Sequence, residues 1–422
     1  MLVLAHNIDS NAEETFPNVI HRSGTNVMRH QPTVFEQVVE TFPWRHFDRV
    51  VRRHDADDDQ RGFTSRMHFL SLLAASLGGQ QGLRPLIASL QPNSGALRLL
   101  GGKAPARSTL SDANRDRPAE LFLDLLLTML NCVNNRLTRR ALKAAVRLID
   151  STHIDLGPRM QRWCNLYQGR AAAKIHVVYD PAAQRPVYFA VSEANINDIT
   201  AAKNLLPIEP GATYVFDLGY YDYAWWAGLL KAGCTFVTRL KSNTKLRDVT
   251  ECARTLDDAV LAEREGFLPQ RMASNRRNPF DKKGREIVVR IDNGKVLRLF
   301  TNDLTSPAAE IAALYKERWQ IELFFKWIKQ NLKITRFMGT SENAIRSQIA
   351  VAFIGYVLVR LVQDAQTQDA KTSVLPAVTI LLVIQMHLFV RRPLASLLDP
   401  RRKPIPPPPG PLLKMAIQAL SK

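Results

Sequence analysis

The chain has 422 residues, with 57 Lys+Arg against 39 Asp+Glu and a formal net charge of +18. Hydrophobic residues make up 46% and charged residues 23%, ordinary values for a globular protein, which exclude a mostly disordered or collagen-like chain; the length suffices for a core without staples. The basic excess points to a polyanionic partner, either nucleic acid or an anionic membrane surface.

Residues 1–30 mix polar and apolar positions without a period and read as a leader, and Met1 to Ser10 lacks the basic stretch and long apolar core of a signal peptide. Residues 31–105 read as an N-terminal helical domain. Val34, Val38, Val39 and Phe42 recur at helical spacing before Pro43, and Ser65–Leu77 is an apolar helix closed by Gly78-Gly79. The acidic cluster of Asp55 and Asp57 to Asp59 reads as a solvated loop rather than a metal site. Gly101 to Pro105 reads as a linker. Residues 106–145 form a helical connecting region with Ser108 or Thr109 as N-cap. Within it, Ser108 to Arg117 is a candidate DNA-reading helix or simply a short capped one. A leucine-dense run, Leu121 to Leu130, leads into the basic series Arg136, Arg139, Arg140, Lys143 and Arg147.

The pattern then changes to strands. Val146–Asp150, Ala173–Asp180, Pro186–Ala194, Thr213–Asp217 and Thr235–Leu240 are β-type segments, with turn chemistry at Asp180-Pro181. Asp198–Leu206, N-capped at Asn197-Asp198, and Tyr223–Lys231 read as helices between them. Further strands fill 242–302, where Glu286–Ile291 and Lys295–Thr301 flank the hairpin turn Asp292-Asn293-Gly294. One helical stretch covers 308–333, and an apolar helical region runs to Val390. The most apolar run, Val374–Val390, is short for a membrane span and interrupted by Pro376, Gln385 and His387, so it reads as a buried core helix. Pro404 and Pro406 to Pro409 give the tail a polyproline character. None of the four cysteines, Cys132, Cys164, Cys234 and Cys252, forms a C-x-x-C pair, which favours a reducing, intracellular setting. The fold class is therefore α/β, with an all-α N-terminal domain and a helical C-terminal region.

Three acids sit where packing does not ask for one. Asp150 and Asp217 end strands, where the carboxyl ends of α/β sheets form their ligand crevice. Glu322 lies on the helix of 308–333. At about 100° per residue, Tyr315, Arg318, Glu322, Lys326, Lys329 and Lys333 share one sector of roughly 80°, opposite Leu314, Ile321, Phe324, Phe325, Ile328 and Leu332. An amphipathic helix with an i, i+4 pair from Glu322 to Lys326 accounts for the helix, but not for a lone acid in so basic a stripe. Three carboxylates suffice to hold two Mg²⁺ or Mn²⁺ ions about 4 Å apart, with Arg318 and the lysines taking flanking phosphates. Other candidates carry a plainer reading. His153 is a metal or phosphate ligand or a strand-end cap. Trp225, Trp226 and Trp319 are base-stacking platforms or core. The clusters Arg239/Lys241/Lys245/Arg247 and Arg276/Arg277/Lys282/Lys283/Arg285 are phosphate contacts or a solvated loop.

The series Tyr315-x2-Arg318-x3-Glu322-x6-Lys329 resembles the Y-R-E-K signature of the IS-four family of bacterial insertion-sequence transposases, within the DDE transposases. Ile149-Asp150-Ser151-Thr152 and Phe216-Asp217-Leu218-Gly219-Tyr220-Tyr221 resemble its two Asp motifs, and Lys174 to Asp180 the strand after the first. The block Phe35 to Leu90 resembles a helical domain of unassigned function at the front of some members. The resemblance implies an RNase H-like catalytic domain in three parts. These are 146–241, a β-rich insertion at 242–302, and 303–350 with the catalytic Glu, followed by a C-terminal helical region and Pro-rich tail at 351–422. It implies Asp150, Asp217 and Glu322 as catalytic residues and ligands of two divalent ions, and Tyr315, Arg318 and Lys329 as DNA contacts. Lys326, Lys333, Arg239 and Lys241 join them on charge. The implied activity is cleavage at the element's ends and transfer of the freed 3′-hydroxyl into target DNA. Its partners would be the terminal inverted repeats, target DNA and a second copy in the synaptic complex, in the bacterial cytoplasm at the nucleoid, with no membrane. Two alternatives stay open: a transposase-derived DNA-binding protein without catalysis, and a nuclease on the same fold. The charge divides unevenly, with a net of +1 over residues 1–105, +9 over 106–300 and +8 over 301–422. The basic excess thus surrounds the three acids.

Overall fold

The computed structural model describes residues 31–58, 62–138, 145–156, 166–167, 170–252, 259–272, 275–291, 294–332, 334, 336–367 and 374–399. The N-terminal block is helical: α1 (Val34–Glu40), α2 (Trp44–Arg53), α3 (Ser65–Leu77), α4 (Leu83–Leu90) and α5 (Ser94–Leu99). Helix α1 opens with a capping box, in which the Thr33 hydroxyl accepts from the Glu36 N–H while the Glu36 carboxylate accepts from the Thr33 N–H. In the acidic loop, Asp57 accepts the Ser65 N–H at 2.6 Å and faces Arg117 at 3.7 Å, a structural use; Asp59 lies outside the described residues. Helix α6 (Arg107–Asp116) starts before Ser108 and Thr109, so the expected caps fall inside it: Ala106, extended directly after Pro105, is the N-cap and makes no side-chain bond. The side chain of Asn114 on α6 is turned inward onto His68 at 2.7 Å. Helix α7 (Glu120–Thr138) follows.

The strands are β1 (Val146–Asp155), β2 (Leu166–Tyr167), β3 (Arg170–Asp180), β4 (Arg185–Glu193), β5 (Thr213–Val215), β6 (Thr235–Arg239), β7 (Arg247–Glu251), β8 (Val260–Phe267), β9 (Lys283–Arg290) and β10 (Val296–Thr301). They form one sheet in the order β2-β3-β1-β5-β6-β10-β9-β8-β7, with β4 paired to β3. Strand β1 is antiparallel to β3 and parallel to β5, which is parallel to β6. Helices α8 (Asp198–Leu205) and α9 (Tyr223–Lys231) make the crossovers. The expected β-rich stretch of 242–302 continues this sheet, because β10 pairs antiparallel with β6 through Leu299 and Arg239. The β9–β10 hairpin forms, with Gly294 at φ +79°; Asp292 and Asn293 lie outside the described residues.

Three expectations at the site need correcting. Asp150 does not end its strand: β1 runs on to Asp155 because Asp150 to Asp155 keep pairing with Val177 to Ala172 of β3. It does stand beyond the last pair with β5, Leu148–Val215. Asp217 lies two residues past β5, as the cap of a single 3-10 turn, Leu218–Tyr220. The helix expected over 308–333 is two helices, α10 (Ala308–Glu317) and α11 (Trp319–Asn331), meeting at Arg318, which caps both.

Strand alternation sends successive side chains to opposite faces. Leu148, Val215 and Val237 join the core on one face, under α10 and α11; Ile149, Tyr214, Phe216 and Phe236 join the core on the other, under α8 and α9. The C-terminal helices are α12 (Glu342–Thr367), α13 (Ala377–His387) and α14 (Leu394–Leu398). Helix α12 is long and apolar enough to cross a membrane, yet most of it is buried inside the protein. It packs on α3 and α7 and also reaches the sheet. There the Tyr356 hydroxyl donates to the Gln184 carbonyl at 2.8 Å, and Asp364 pairs with Arg185 at 2.8 Å. The first core therefore runs unbroken from Val34 to Leu398. Helix α13 is buried on one side only: Ile380, Leu381 and Ile384 point in, while Val378, Leu382 and Met386 are exposed. The expected buried core helix is thus buried along one side; only Thr379, Gln385 and His387 break its apolar run, too few to form a stripe that marks the outer face.

Candidate active site

Counting by twos along β1 from Leu148 puts Asp150 on the face covered by α10 and α11. Helix α11 packs its Ile321, Phe324, Phe325 and Ile328 inward, which leaves Glu322, in its first turn, free to face Asp150 on β1. Arg318, at the junction of α10 and α11, reaches both acids, with Nη2 2.6 Å from Glu322 Oε1, one turn on, and Nη1 3.5 Å from Asp150 Oδ2. The other oxygen of Asp150 accepts the Ser151 N–H at 2.8 Å, and Asp217 Oδ1 accepts the Gly219 N–H at 2.8 Å. Burial, with Asp217 and Glu322 as like-charged neighbours, pushes the Asp150 carboxyl up to about 7, against the pull of the Ser151 N–H and Arg318. So the three expected acids converge from segments far apart in the chain.

Asp150, Glu322, Phe325, Lys326 and Lys329 line an open cleft of about 390 Å³. Lys326 is exposed and Lys329 half-buried, with burial lowering the Lys329 ammonium and Asp155 opposing that. Tyr315 is 9% exposed, its ring centre 5.8 Å from the Arg318 guanidinium; what it can do for a ligand passes chiefly through Arg318. Arg239 ends β6 and belongs to the electrostatic surroundings of Tyr315. Lys241 stands 4.5 Å above the Tyr221 ring. Lys333 lies outside the described residues. Of the two outer basic clusters, Lys245, Arg276, Arg277 and Lys282 are exposed, whereas Arg285 is buried against Glu263 at 2.7 Å and Lys283 pairs with Glu265 at 2.7 Å. Arg147 is likewise buried, between Asp180 and Glu209. Trp225 and Trp226 are core, while Trp319, beside Arg318, is 58% exposed. His153 sits within β1, near the Ala194 carbonyl at 3.3 Å.

One residue near the acids had no distinguishing sequence signal. Asn197 is the N-cap of α8, but Asp198 is turned to the sheet, where it meets Lys174 and Ser151. An Asp in a first helical turn is too ordinary to be singled out without the fold.

The donor set fits hard divalent cations, which take carboxylate oxygens. Asp217 and Glu322 lie close enough to act on Asp150, whose carboxyl is raised chiefly by burial, and Asp150 and Asp217 each spend one oxygen on a backbone N–H. Among the described residues no tight group of three or more His, Cys, Asp and Glu already forms a ligand shell; the Arg318 guanidinium supplies the countercharge between two of the acids.

The family model for the transposase DDE domain matches residues 142–358, and that for a domain of unknown function (DUF4372) matches residues 30–103. The chain is 40% identical over 263 residues to y4zB of Sinorhizobium fredii, named as a transposase, covering 61% of this chain and 72% of that one. It is 29% identical to the protein of Geobacillus stearothermophilus named as a transposase for insertion sequence element IS5377, over 63% of this chain and 70% of that one. A Synechocystis protein named as a transposase for insertion sequence element IS4SA is 23% identical, over 62% and 73%.

Proposed function

The chain belongs to the transposase DDE domain family and is a DNA transposase of an insertion sequence, and we propose that Asp150, Asp217 and Glu322 are the carboxylates that perform its divalent-metal-dependent chemistry. The observation that carries this is the meeting of Asp150, on β1, and Glu322, on α11, which line one cleft with Lys326 and Lys329 and share Arg318, with Asp217, in the turn after β5, among the charges acting on Asp150. The strand order β4-β3-β1-β5-β6, three antiparallel strands followed by two parallel ones, supports reading the central part as an RNase H-like fold, extended at one edge by β7 to β10.

Two Mg²⁺ or Mn²⁺ ions would be held by these acids, supplying charge neutralisation at the scissile phosphate and activation of the attacking oxygen. Arg318, planar and permanently charged, bridges Asp150 and Glu322, offsets the repulsion between them and offers its fork to a phosphate. Lys326 and Lys329 on the rim, with Arg239 and Lys241 along the β6 end, would track the flanking backbone. Tyr315, largely buried, supports Arg318 from beneath. On this reading the protein cuts at the terminal inverted repeats and joins the freed 3′-hydroxyl to target DNA as a homodimer, in the bacterial cytoplasm in association with the nucleoid. The test is product analysis with the full chain, a duplex carrying the element's ends, and Mg²⁺ or Mn²⁺. Strand joining to a second duplex is the expected product; cleavage without joining would make it a nuclease, and binding without either would make it a DNA-binding protein.

A further inference from the structure

Behind Asp150, on the sheet face opposite Glu322, the side chains of β1 and β3 form a buried polar group. Ser151, one residue on from Asp150, points to that face. Its hydroxyl donates to Asp198 Oδ1 at 2.5 Å, while its backbone N–H donates to Asp150 Oδ1 at 2.8 Å. Lys174, 7% exposed, places its ammonium 2.8 Å from the same Asp198 oxygen. His176, wholly buried and kept neutral by that burial, which lowers it to about 4, stands 3.9 Å away and bonds Ser192.

The other Asp198 oxygen faces the turn that carries Asp217. A methyl group added at Gly219 would lie 3.0 Å from both Asp198 Oδ2 and Asp217 Oδ1, so the missing side chain lets the two carboxylates approach. Beside them the Tyr220 hydroxyl is fully buried without a well-formed hydrogen bond, surrounded by Asp198, Asp150 and Asp217.

We propose that Asp198 is the positioning residue for the metal-binding carboxylates: clamped by Lys174, it fixes Asp150 through Ser151 and Asp217 through the turn at Gly219. The proposal rests on the reading of Asp150, Asp217 and Glu322 as cation ligands. Asp198 itself is neutralised by Lys174 and spends one oxygen on Ser151, so it acts through its neighbours rather than on DNA. Partners behind metal ligands commonly govern affinity by about 10- to 100-fold.

The experiment titrates Mn²⁺ into the full chain, following free Mn²⁺ by electron paramagnetic resonance, with thermal unfolding in chelator as the readout of the fold. Asp198→Asn is expected to weaken Mn²⁺ binding about tenfold or more. Ser151→Ala, which cuts the arm from Asp198 to Asp150, should weaken it in the same direction. A purely structural role would lower the unfolding midpoint in chelator without moving Mn²⁺ affinity, and that outcome overturns the proposal. If Asp198→Asn does not fold, unchanged affinity in Ser151→Ala overturns it equally. Asp150→Asn separates the two readings: if it weakens Mn²⁺ binding while Asp198→Asn does not, the positioning role alone falls, and if neither does, the metal site falls with it.

Discussion

Arg318 and Asp150, 168 residues apart in the chain, meet at 3.5 Å across the end of the central sheet. Arg318 stands at the junction of α10 and α11, and its other terminal nitrogen holds Glu322 one turn on. Its positive charge favours the ionised form of Asp150, against burial and the charges of Asp217 and Glu322. Arg318→Ala should therefore move the acid limb of the cleavage pH profile to higher pH, and Arg318→Lys should move it less. A profile reduced in height but unshifted would show that Arg318 does not set the Asp150 carboxyl.

Asp150→Asn, Asp217→Asn and Glu322→Gln keep side-chain shape and remove charge. Each is expected to abolish cleavage while leaving binding of the element's ends intact in a gel-shift assay. Full activity with Mg²⁺ in any one of them would remove that residue from the catalytic set.

The same Asp150→Asn change should stabilise the metal-free protein at high pH. Folding raises this carboxyl from its unfolded value of 3.8 to about 7, chiefly through burial. Below the unfolded value both states are protonated, and the wild type carries no penalty. As pH rises towards the folded value the stability contribution of the bound proton is progressively lost, and above it the folded state must hold a buried charge. In chelator, the excess in Tm of the variant over wild type should be near zero at pH 4, widen towards pH 7 and then level. A pH-independent offset would contradict this.

The tryptophans give a stability contrast. Trp226 is fully buried, its ring 5.8 Å from Phe300 and 5.4 Å from Phe236, and Trp226→Ala should cost about 3–5 kcal/mol in denaturant unfolding. Trp319, 58% exposed, should lose no more than about 0.5 kcal/mol. A loss of DNA cleavage in Trp319→Ala with Tm unchanged would assign the exposed ring to the DNA.

The grouping of residues at the candidate site was largely legible in the sequence because it follows a spacing on one helix face. Tyr315, Arg318, Glu322 and Lys329 keep their helical relation, even though the helix breaks among them. What was not legible has physical causes. The true course of β1 past Asp150 depends on pairing with β3, a non-local contact that a short apolar run cannot report. The burial of Arg147 and Arg285 depends on carboxylates at Asp180, Glu209 and Glu263 brought in by the fold, so a count of basic residues overstated what is free to meet phosphate. Asp198 was read with its neighbour as a helix cap because only the tertiary fold brings Lys174 and Ser151 to it.

Helix α12 has a consequence for synthesis. The first helices expose faces that are completed by α12, so during translation they emerge long before their covering is made. At about 5–20 residues per second the interval between α3 and α12 lasts roughly 12–50 seconds. Through that time Leu73 and Leu77 lack the α12 backbone at Gly355 that they pack against. Messages truncated within the catalytic region would therefore yield an N-terminal fragment with a sticky apolar flank, a substrate for chaperones and proteases rather than a free-standing competitor of the full-length enzyme.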